Sequence, residues 1–220
     1  MVKLSRPSIK RADMDSVLSR MLSDELHPGS TNKDFVKSLA ETLGLQGGFA
    51  FGEYTRTVEI ALRALELPED GTVLLSPLAP AVYHTVLRNL GLKPRYLDVS
   101  ESAPVLAAGG VTAAVESESP SAVILDSTMG FLVDYESLGE LPVPVVEDIS
   151  SGIGGYVGEQ PAGSAGRFVI VGLSQEAIIT AGGGGAVLCR NTREKAALSR
   201  GVEEDPVDIR LSDMKAALGI

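Results

Sequence analysis

The chain contains no tryptophan, a single cysteine, two histidines, and only five tyrosines and five phenylalanines in 220 residues. One cysteine excludes an internal disulfide and any cluster of thiolate metal ligands. His27 and His84 lie far apart in the sequence and outside any ligand motif, so we assign no metal site. The scarcity of aromatic rings for base stacking and the formal net charge of -10 also exclude nucleic acid as an expected partner.

Long apolar runs are missing as well. The longest, 142–146 and 168–173, fall far short of the roughly 20 residues that a membrane-spanning helix needs. No apolar segment follows the basic residues near the N-terminus, as it would in an export signal. We therefore expect a soluble, cytoplasmic protein without membrane contact, and the lone Cys189 agrees with a reducing compartment.

With 44% hydrophobic residues, the chain can bury one sizeable core. From Gly71 onward, short apolar runs alternate with longer helical patterns, which predicts an α/β fold with a mostly parallel central sheet flanked by helices. The predicted strands are Thr72–Leu75, Lys93–Asp98, Ala122–Asp126, Val145–Glu147, Phe168–Gly172 and Gly185–Cys189. The predicted helices include Asp34–Leu43, Arg56–Leu65, Ala79–Leu90 and a capped helix that opens at Ser212.

One predicted strand ends in two carboxylates, Glu147 and Asp148. This arrangement puts an acid at the carboxyl edge of a parallel sheet, where open α/β sheets bind ligands. The alternative is that Asp148 only caps the following turn.

Two further segments could bind an anion. Residues 182–185 are four successive glycines, whose backbone amides could surround a phosphate or simply form a tight turn before a strand. Residues 51–57 form a loop that leads into a helix, where free amides together with Thr55 and Arg56 would suit an anion. Thr55 could equally be just the N-cap of that helix.

Taken in order, these segments resemble the DegT/StrS type of nucleotide-sugar aminotransferases, which are pyridoxal phosphate enzymes of fold type I. The motifs that carry the resemblance are Leu4-Ser5-Arg6-Pro7, His27-Pro28-Gly29, Ser76-Pro77-Leu78, residues 93–99, Val145-Val146-Glu147-Asp148, residues 163–166 and residues 210–219. The resemblance implies one large domain over residues 1–220. Residues 1–50 would be an N-terminal helical segment, 51–200 the α/β core, and 201–220 the start of a connection to a small C-terminal domain, which we expect to be missing or truncated.

The departures from the family pattern fall on its chemistry. In the family, a Ser-Phe pair is followed after three residues by a lysine that bonds covalently to the cofactor, and a Gly-Glu-Gly-Gly turn follows it. Counting back from the glycines at 182–185, the resemblance places this lysine position at Ala177. Shifting the alignment does not supply a lysine, because the chain has none between Lys93 and Lys195. Without that amine, neither the covalent bond nor the proton transfer that lysine performs is available.

The resemblance assigns Asp148 to the pyridine nitrogen of the cofactor and Thr55 to its phosphate. Other ligand positions are changed: Tyr54 replaces a glycine, Pro80 a stacking aromatic residue, Gly172 a serine and Ser151 a glutamine. We therefore expect pyridoxal phosphate to bind weakly or not at all. The vestigial cofactor-binding candidates are Thr55, Arg56, Asp148 and Ser151, and a small anionic ligand could still bind there.

Three functions remain open at this point. The first is a catalytically inactive homologue that acts as a binding or dimerising scaffold, with the apolar face of helix 56–65 compatible with a homodimer. The second is an enzyme of altered chemistry, with acid–base groups among Asp148, Glu176, His84 and Tyr83. The third is a structural subunit that pairs with an active paralogue. If the lysine placement is wrong, the chain is an active aminotransferase.

Overall fold

The computed structural model describes residues 9–23, 26–203, 206 and 209–220, so the predicted motif at residues 4–7 lies outside the described part. The helices are α1 (Arg11–Leu22), α2 (Ser30–Thr42), α3 (Tyr54–Arg63), α4 (Ala81–Asn89), α5 (Ala108–Glu118), α6 (Tyr135–Leu138), α7 (Thr192–Glu203) and α8 (Asp213–Gly219). The strands are β1 (Gly47–Phe51), β2 (Thr72–Leu75), β3 (Lys93–Tyr96), β4 (Ala122–Asp126), β5 (Val145–Asp148), β6 (Tyr156–Val157), β7 (Gln160–Pro161), β8 (Phe168–Gly172) and β9 (Gly185–Cys189).

The central sheet has seven strands in the order β1-β9-β8-β5-β4-β2-β3. Strands β3, β2, β4, β5 and β8 run parallel, whereas β9 is antiparallel to both of its neighbours, β8 and β1. The prediction of a mostly parallel sheet is therefore confirmed, and all six predicted strands are present. Strands β4, β8 and β9 are buried along their whole length, as expected for strands covered by helices on both faces.

Helices cover the two faces of the sheet as separate layers. Alternate strand residues contact α3, α4 and α7 on one face, and α2, α8, α5 and α6 on the other. In β9, for example, Val187 and Cys189 point to the first layer while Ala186 and Leu188 point to the second. In the described part of the chain, no helix is long and apolar enough to cross a membrane.

Strand β1 lies at the end of residues 1–50, which were predicted to be an N-terminal helical segment, and it is an element that this prediction did not include. It pairs in antiparallel register with β9, and a Cβ on Gly48 would lie 2.0 Å from the carbonyl oxygen of Val187. Its two glycines allow this close backbone approach, but they also carry low strand propensity, which hid the strand from a pattern-based prediction.

The structure also bears on the apolar face of helix 56–65, which the sequence predicts to be compatible with a homodimer. Val58, Ile60, Ala61 and Leu62 of α3 are at most 1% exposed, since they pack into the core against the sheet. This face therefore has no apolar surface left to offer to a second chain.

Helix α8 begins after Ser212, whose hydroxyl accepts a hydrogen bond from the Lys215 amide, as predicted from the cap pattern. The buried carboxylate of Asp213 accepts hydrogen bonds from the backbone amides of Gly29, Thr31 and Asn32 at 2.7–3.1 Å. The last described segment is therefore held on the N-terminal turn of α2, where a negative charge is favourable.

Candidate functional site

The candidate site lies at the carboxyl edge of the parallel strands. Asp148 is the last residue of β5, and its register partner Asp126 is the last residue of β4. Both side chains are more than nine-tenths buried. The structure thus brings two carboxylates together at the edge where parallel sheets bind their ligands, although only Asp148 was predicted to be there.

Four donors surround the Asp148 carboxylate. Its Oδ1 atom accepts hydrogen bonds from the backbone amide of Ser150, at 2.9 Å, and from the Ser150 hydroxyl. Its Oδ2 atom accepts from the hydroxyl of Tyr83, at 2.8 Å, and from the hydroxyl of Tyr54. Because a carboxylate offers about four acceptor positions, Asp148 has none left for another donor. The predicted turn-capping role is present in the bond from the Ser150 amide.

The two tyrosines act as neutral donors. Tyr83 is fully buried, and the hydroxyl oxygens of Tyr54 and Tyr83 are 3.5 Å apart. Burial, and secondly the negative charge of Asp148, raises the pKa of both hydroxyls well above the usual value near 10. Each hydroxyl therefore keeps its proton at neutral pH and donates a hydrogen bond to the carboxylate.

The neighbouring carboxylate is less well satisfied. Asp126 Oδ2 accepts a hydrogen bond from the Thr128 hydroxyl, but Oδ1 is buried and has no partner among the described residues. Burial first of all, with a further contribution from Asp148, raises the pKa of Asp126 despite the bond from Thr128. Both aspartates are among the residues that line a cavity of about 10 Å³, which is room for one water molecule at most.

Glu147, next to Asp148, points to the other face of the sheet, where its hydrogen bonds stabilise the fold. Its carboxylate accepts hydrogen bonds from the Tyr135 hydroxyl at 2.5 Å and from the amides of Gly163, Ala165 and Gly166 at 2.8–2.9 Å. The side chain is only 3% exposed. These bonds hold the 163–166 turn on β5 and leave Glu147 without a free position for a ligand.

The other predicted ligand residues do not gather around Asp148. Thr55 is exposed in the first turn of α3, whose N-cap is Glu53, so the alternative that Thr55 caps this helix is wrong. The guanidinium of Arg56 forms an ion pair with Glu59 at 2.8 Å. Ser151 is exposed, and its amide donates to the hydroxyl of Ser127 at 3.1 Å. The serine that contacts Asp148 is Ser150, one position earlier.

The glycine run 182–185 forms a tight turn before β9. Gly182, Gly183 and Gly184 all have positive φ values, and the Gly183 amide donates to the Leu173 carbonyl at 2.8 Å. The Gly182 amide faces the Thr180 hydroxyl at 3.2 Å. Because these two amides already have partners, the arrangement agrees with the turn alternative and not with a phosphate cradle.

The groups considered for altered chemistry are dispersed. Only Tyr83 contacts Asp148. His84 is exposed on α4, where its Nδ1 atom lies 2.7 Å from the Tyr96 hydroxyl. Glu176 is exposed in the loop between β8 and β9. Apart from the hydrogen-bonded Tyr83 and Asp148, the structure therefore brings none of these candidates together.

Sequence reasoning missed the role of Tyr54 and Ser150 in this cluster. The available signal was Tyr54, a large side chain at a position where the resemblance expects glycine beside a bound phosphate. Such an exchange could have indicated that the side chain fills the site. Nothing in the local sequence pattern indicated Ser150.

The sequence profile of the DegT/DnrJ/EryC1/StrS aminotransferase family matches residues 7–220 of this chain. The Bacillus subtilis (strain 168) protein EpsN, whose name describes a pyridoxal phosphate-dependent aminotransferase, is 25% identical over 242 residues, covering 100% of this chain and 62% of its own length.

Solved structures show the same fold. Helicobacter pylori PseC, an aminotransferase of pseudoaminic acid biosynthesis, superposes with a TM-score of 0.88 at 19% identity, covering 99% of this chain and 63% of its own. An aminotransferase from Psychrobacter cryohalolentis gives a TM-score of 0.84 at 21% identity, covering 97% and 61%. The chain thus spans about three fifths of the length of these relatives. On the family match and the fold together, the chain belongs to the DegT/DnrJ/EryC1/StrS aminotransferase family.

Proposed function

We propose that this chain does not transaminate and that it acts as a binding or dimerising scaffold with the fold of its family. The observation that carries the proposal is Ala177 at the position of the family's lysine, in a chain with no lysine between Lys93 and Lys195. A methyl side chain can neither bond covalently to an aldehyde nor transfer a proton, and transamination needs both.

The residues around Asp148 also do not fit pyridoxal phosphate. Asp148 already accepts four hydrogen bonds, so a pyridine nitrogen would have to displace a tyrosine or the Ser150 donors. At the neighbouring helix terminus, Arg56 is paired with Glu59, and the N-cap residue is the acidic Glu53, which opposes an anion. These observations support a site that has lost both catalysis and cofactor binding.

The scaffold part of the proposal is supported by an exposed apolar surface on α1. Met14, Leu18 and Met21 follow the i, i+4, i+7 spacing of one helix face, and each is slightly more than half exposed. None of the residues of α1 is buried, although the helix lies against α8. Apolar side chains grouped in this way are typical of protein–protein contacts, and we assign this face to a second copy of the chain.

The first experiment is an absorbance titration of the purified protein with pyridoxal phosphate, followed by borohydride reduction and peptide mass analysis. We expect no visible absorbance band beyond that of the free compound and no reduced adduct at one specific lysine. A stoichiometric adduct on a single lysine would overturn the proposal and would mean that another amine serves this site.

One observation favours an active enzyme as the second candidate. The Lys215 Nζ atom lies 3.7 Å from where a Cβ on Gly183 would be, so an amine from α8 reaches the turn that follows the Ala177 loop. An adduct that maps to Lys215, and disappears in the Lys215→Met variant, would establish this candidate. A matched Lys195→Met variant, changed on a different helix, should leave such an adduct intact.

The oligomeric state tests the scaffold assignment separately. We expect multi-angle light scattering to show a dimer at micromolar concentration, and we expect Leu18→Glu to shift it to monomer without loss of helical circular dichroism. A wild-type monomer throughout that range would contradict the dimer, and binding to a separately purified active relative would then favour the paralogue alternative.

A further inference from the structure

Tyr54 lies across the ends of three strands. It is the first residue of α3, and its hydroxyl donates to Asp148 at the end of β5, beside the hydroxyl of Tyr83. Its ring packs on Gly172, the last residue of β8, and on Gly185, the first residue of β9, which are register partners. The side chain thus covers the carboxyl edge of the sheet around Asp148.

The two glycines provide the clearance for this ring. A Cβ on Gly172 would lie 2.9 Å from Ser150 Oγ and 3.4 Å from Tyr54 Cε2, and a Cβ on Gly185 would lie 2.8 Å from Thr57 Oγ1 and 3.2 Å from Tyr54 Cδ2. Neither glycine has a positive φ value, so backbone conformation does not require glycine at either position. Glycine is favoured at both positions because neighbouring side chains approach too closely to leave room for a Cβ atom.

We propose that Tyr54 is a built-in occupant of the cofactor cleft of this family. Its ring rests on the Gly172–Gly185 pair, and its hydroxyl, together with that of Tyr83, takes up the Asp148 oxygen that would otherwise be available to a ligand. The chain therefore excludes pyridoxal phosphate sterically and by hydrogen-bond saturation. This exclusion is independent of Ala177, whose consequence is the absence of a covalent bond.

A ligand that enters this cleft must first displace one of the two tyrosine hydroxyls from Asp148. Tyr54 and Tyr83 both donate to the same Asp148 oxygen, and Tyr83 is fully buried, so the displaceable member of the pair is the partly buried Tyr54. Moving its side chain breaks a hydrogen bond to a charged group and uncovers two backbone glycines. The net binding free energy of a ligand is reduced by the cost of this displacement.

The proposal predicts that removing the ring opens a cavity of defined chemistry. The Tyr54→Gly variant should bind 4-methylphenol, which reproduces the deleted side chain, and the compound should raise the melting temperature of this variant and not that of the wild type. Tyr156→Gly is the matched control, because Tyr156 is two-thirds exposed and its removal leaves no cavity. If Tyr54→Gly does not fold unaided, 4-methylphenol should restore the cooperative unfolding transition.

The second measurement is equilibrium dialysis with pyridoxal phosphate itself. We expect Tyr54→Gly to bind it at least about tenfold more tightly than the wild type, a difference of about 1.4 kcal/mol. Tyr54→Phe, which keeps the ring over the glycines but frees one acceptor position of Asp148, should have an affinity between those of the wild type and Tyr54→Gly. 4-Methylphenol should compete with the cofactor in the opened variant.

Several results would overturn the occupant proposal. These are equal affinity of wild type and Tyr54→Gly for pyridoxal phosphate, including no binding to either, and failure of 4-methylphenol to stabilise the opened variant. Borohydride reduction separates this outcome from failure of the proposed function. Non-covalent binding to the wild type that is as tight as binding to Tyr54→Gly refutes only the occupant role of Tyr54, whereas a reduced adduct on one lysine refutes the absence of transaminase chemistry.

Discussion

Replacing Asp148 by asparagine isolates the charge of the central carboxylate, since the side-chain shape is retained. The asparagine oxygen can still accept from the Ser150 amide, while its NH₂ group must face the hydroxyls of Tyr54 and Tyr83. Two hydrogen bonds to a charged acceptor then become neutral bonds at best. Hydrogen bonds to charged groups contribute about 1.5–3 kcal/mol and neutral ones about 0.5–1.5 kcal/mol, so we expect a loss of about 1–3 kcal/mol in the free energy of unfolding.

The assay is urea unfolding followed by far-ultraviolet circular dichroism, because the chain has no tryptophan to report by fluorescence. The midpoint should fall at an unchanged m-value, and the melting temperature should drop by roughly 2–12 °C for a chain of this size. The matched control is Asp34→Asn, which removes the same charge from an exposed position on α2 and should change the stability by less than about 0.5 kcal/mol.

The result that would refute this reasoning is an Asp148→Asn variant as stable as the control. It would mean that the cluster around Asp148 contributes nothing net, because the cost of burying the charge cancels its four hydrogen bonds. A variant that instead lost affinity for pyridoxal phosphate would show that Asp148 binds the cofactor, against the exclusion by Tyr54.

Three further predictions concern other buried groups. Glu147→Gln places an NH₂ group against backbone amides that now donate hydrogen bonds to the carboxylate. It should lower the free energy of unfolding by about 2–4 kcal/mol in a urea titration, and an effect below about 0.5 kcal/mol would contradict this reasoning. Burial alone would raise the pKa of Asp213, but three backbone amide donors outweigh it and lower the pKa. The stability that Asp213 contributes is therefore present above its unfolded-state pKa of about 3.9 and is lost as the pH falls through the lower folded-state value, so the stability gap between wild type and Asp213→Asn should shrink in thermal melts below pH ~4; a gap that stays constant would refute the assignment. Burial, and secondly the charge of Glu194, raises the pKa of the Cys189 thiol to about 11, so an aromatic disulfide reagent should react with it only after urea is added, and rapid reaction of the folded protein would contradict its position inside β9.

The elements that were predicted correctly have a local cause. Strands such as β4 and β8 are short, continuous apolar runs bounded by turn residues, and the N-terminal Ser212 of α8 carries its cap signal in the adjacent residues. β1 was missed because Gly47 and Gly48 are favoured by a close contact with β9, which is about 140 residues away in the sequence and leaves no local pattern.

The sequence by itself determined the α/β class, the family and the absence of a lysine at position 177, because each depends on residue identity and spacing along the chain. The tertiary structure alone decided what Asp148 contacts. Tyr54, Tyr83 and Ser150 come from three different segments, and their donors converge on one carboxylate only after α3, α4 and β5 have packed together. Hydrogen-bond saturation is a property of distances and directions between such segments, so the residues next to Asp148 in the sequence do not reveal that its acceptor positions are occupied.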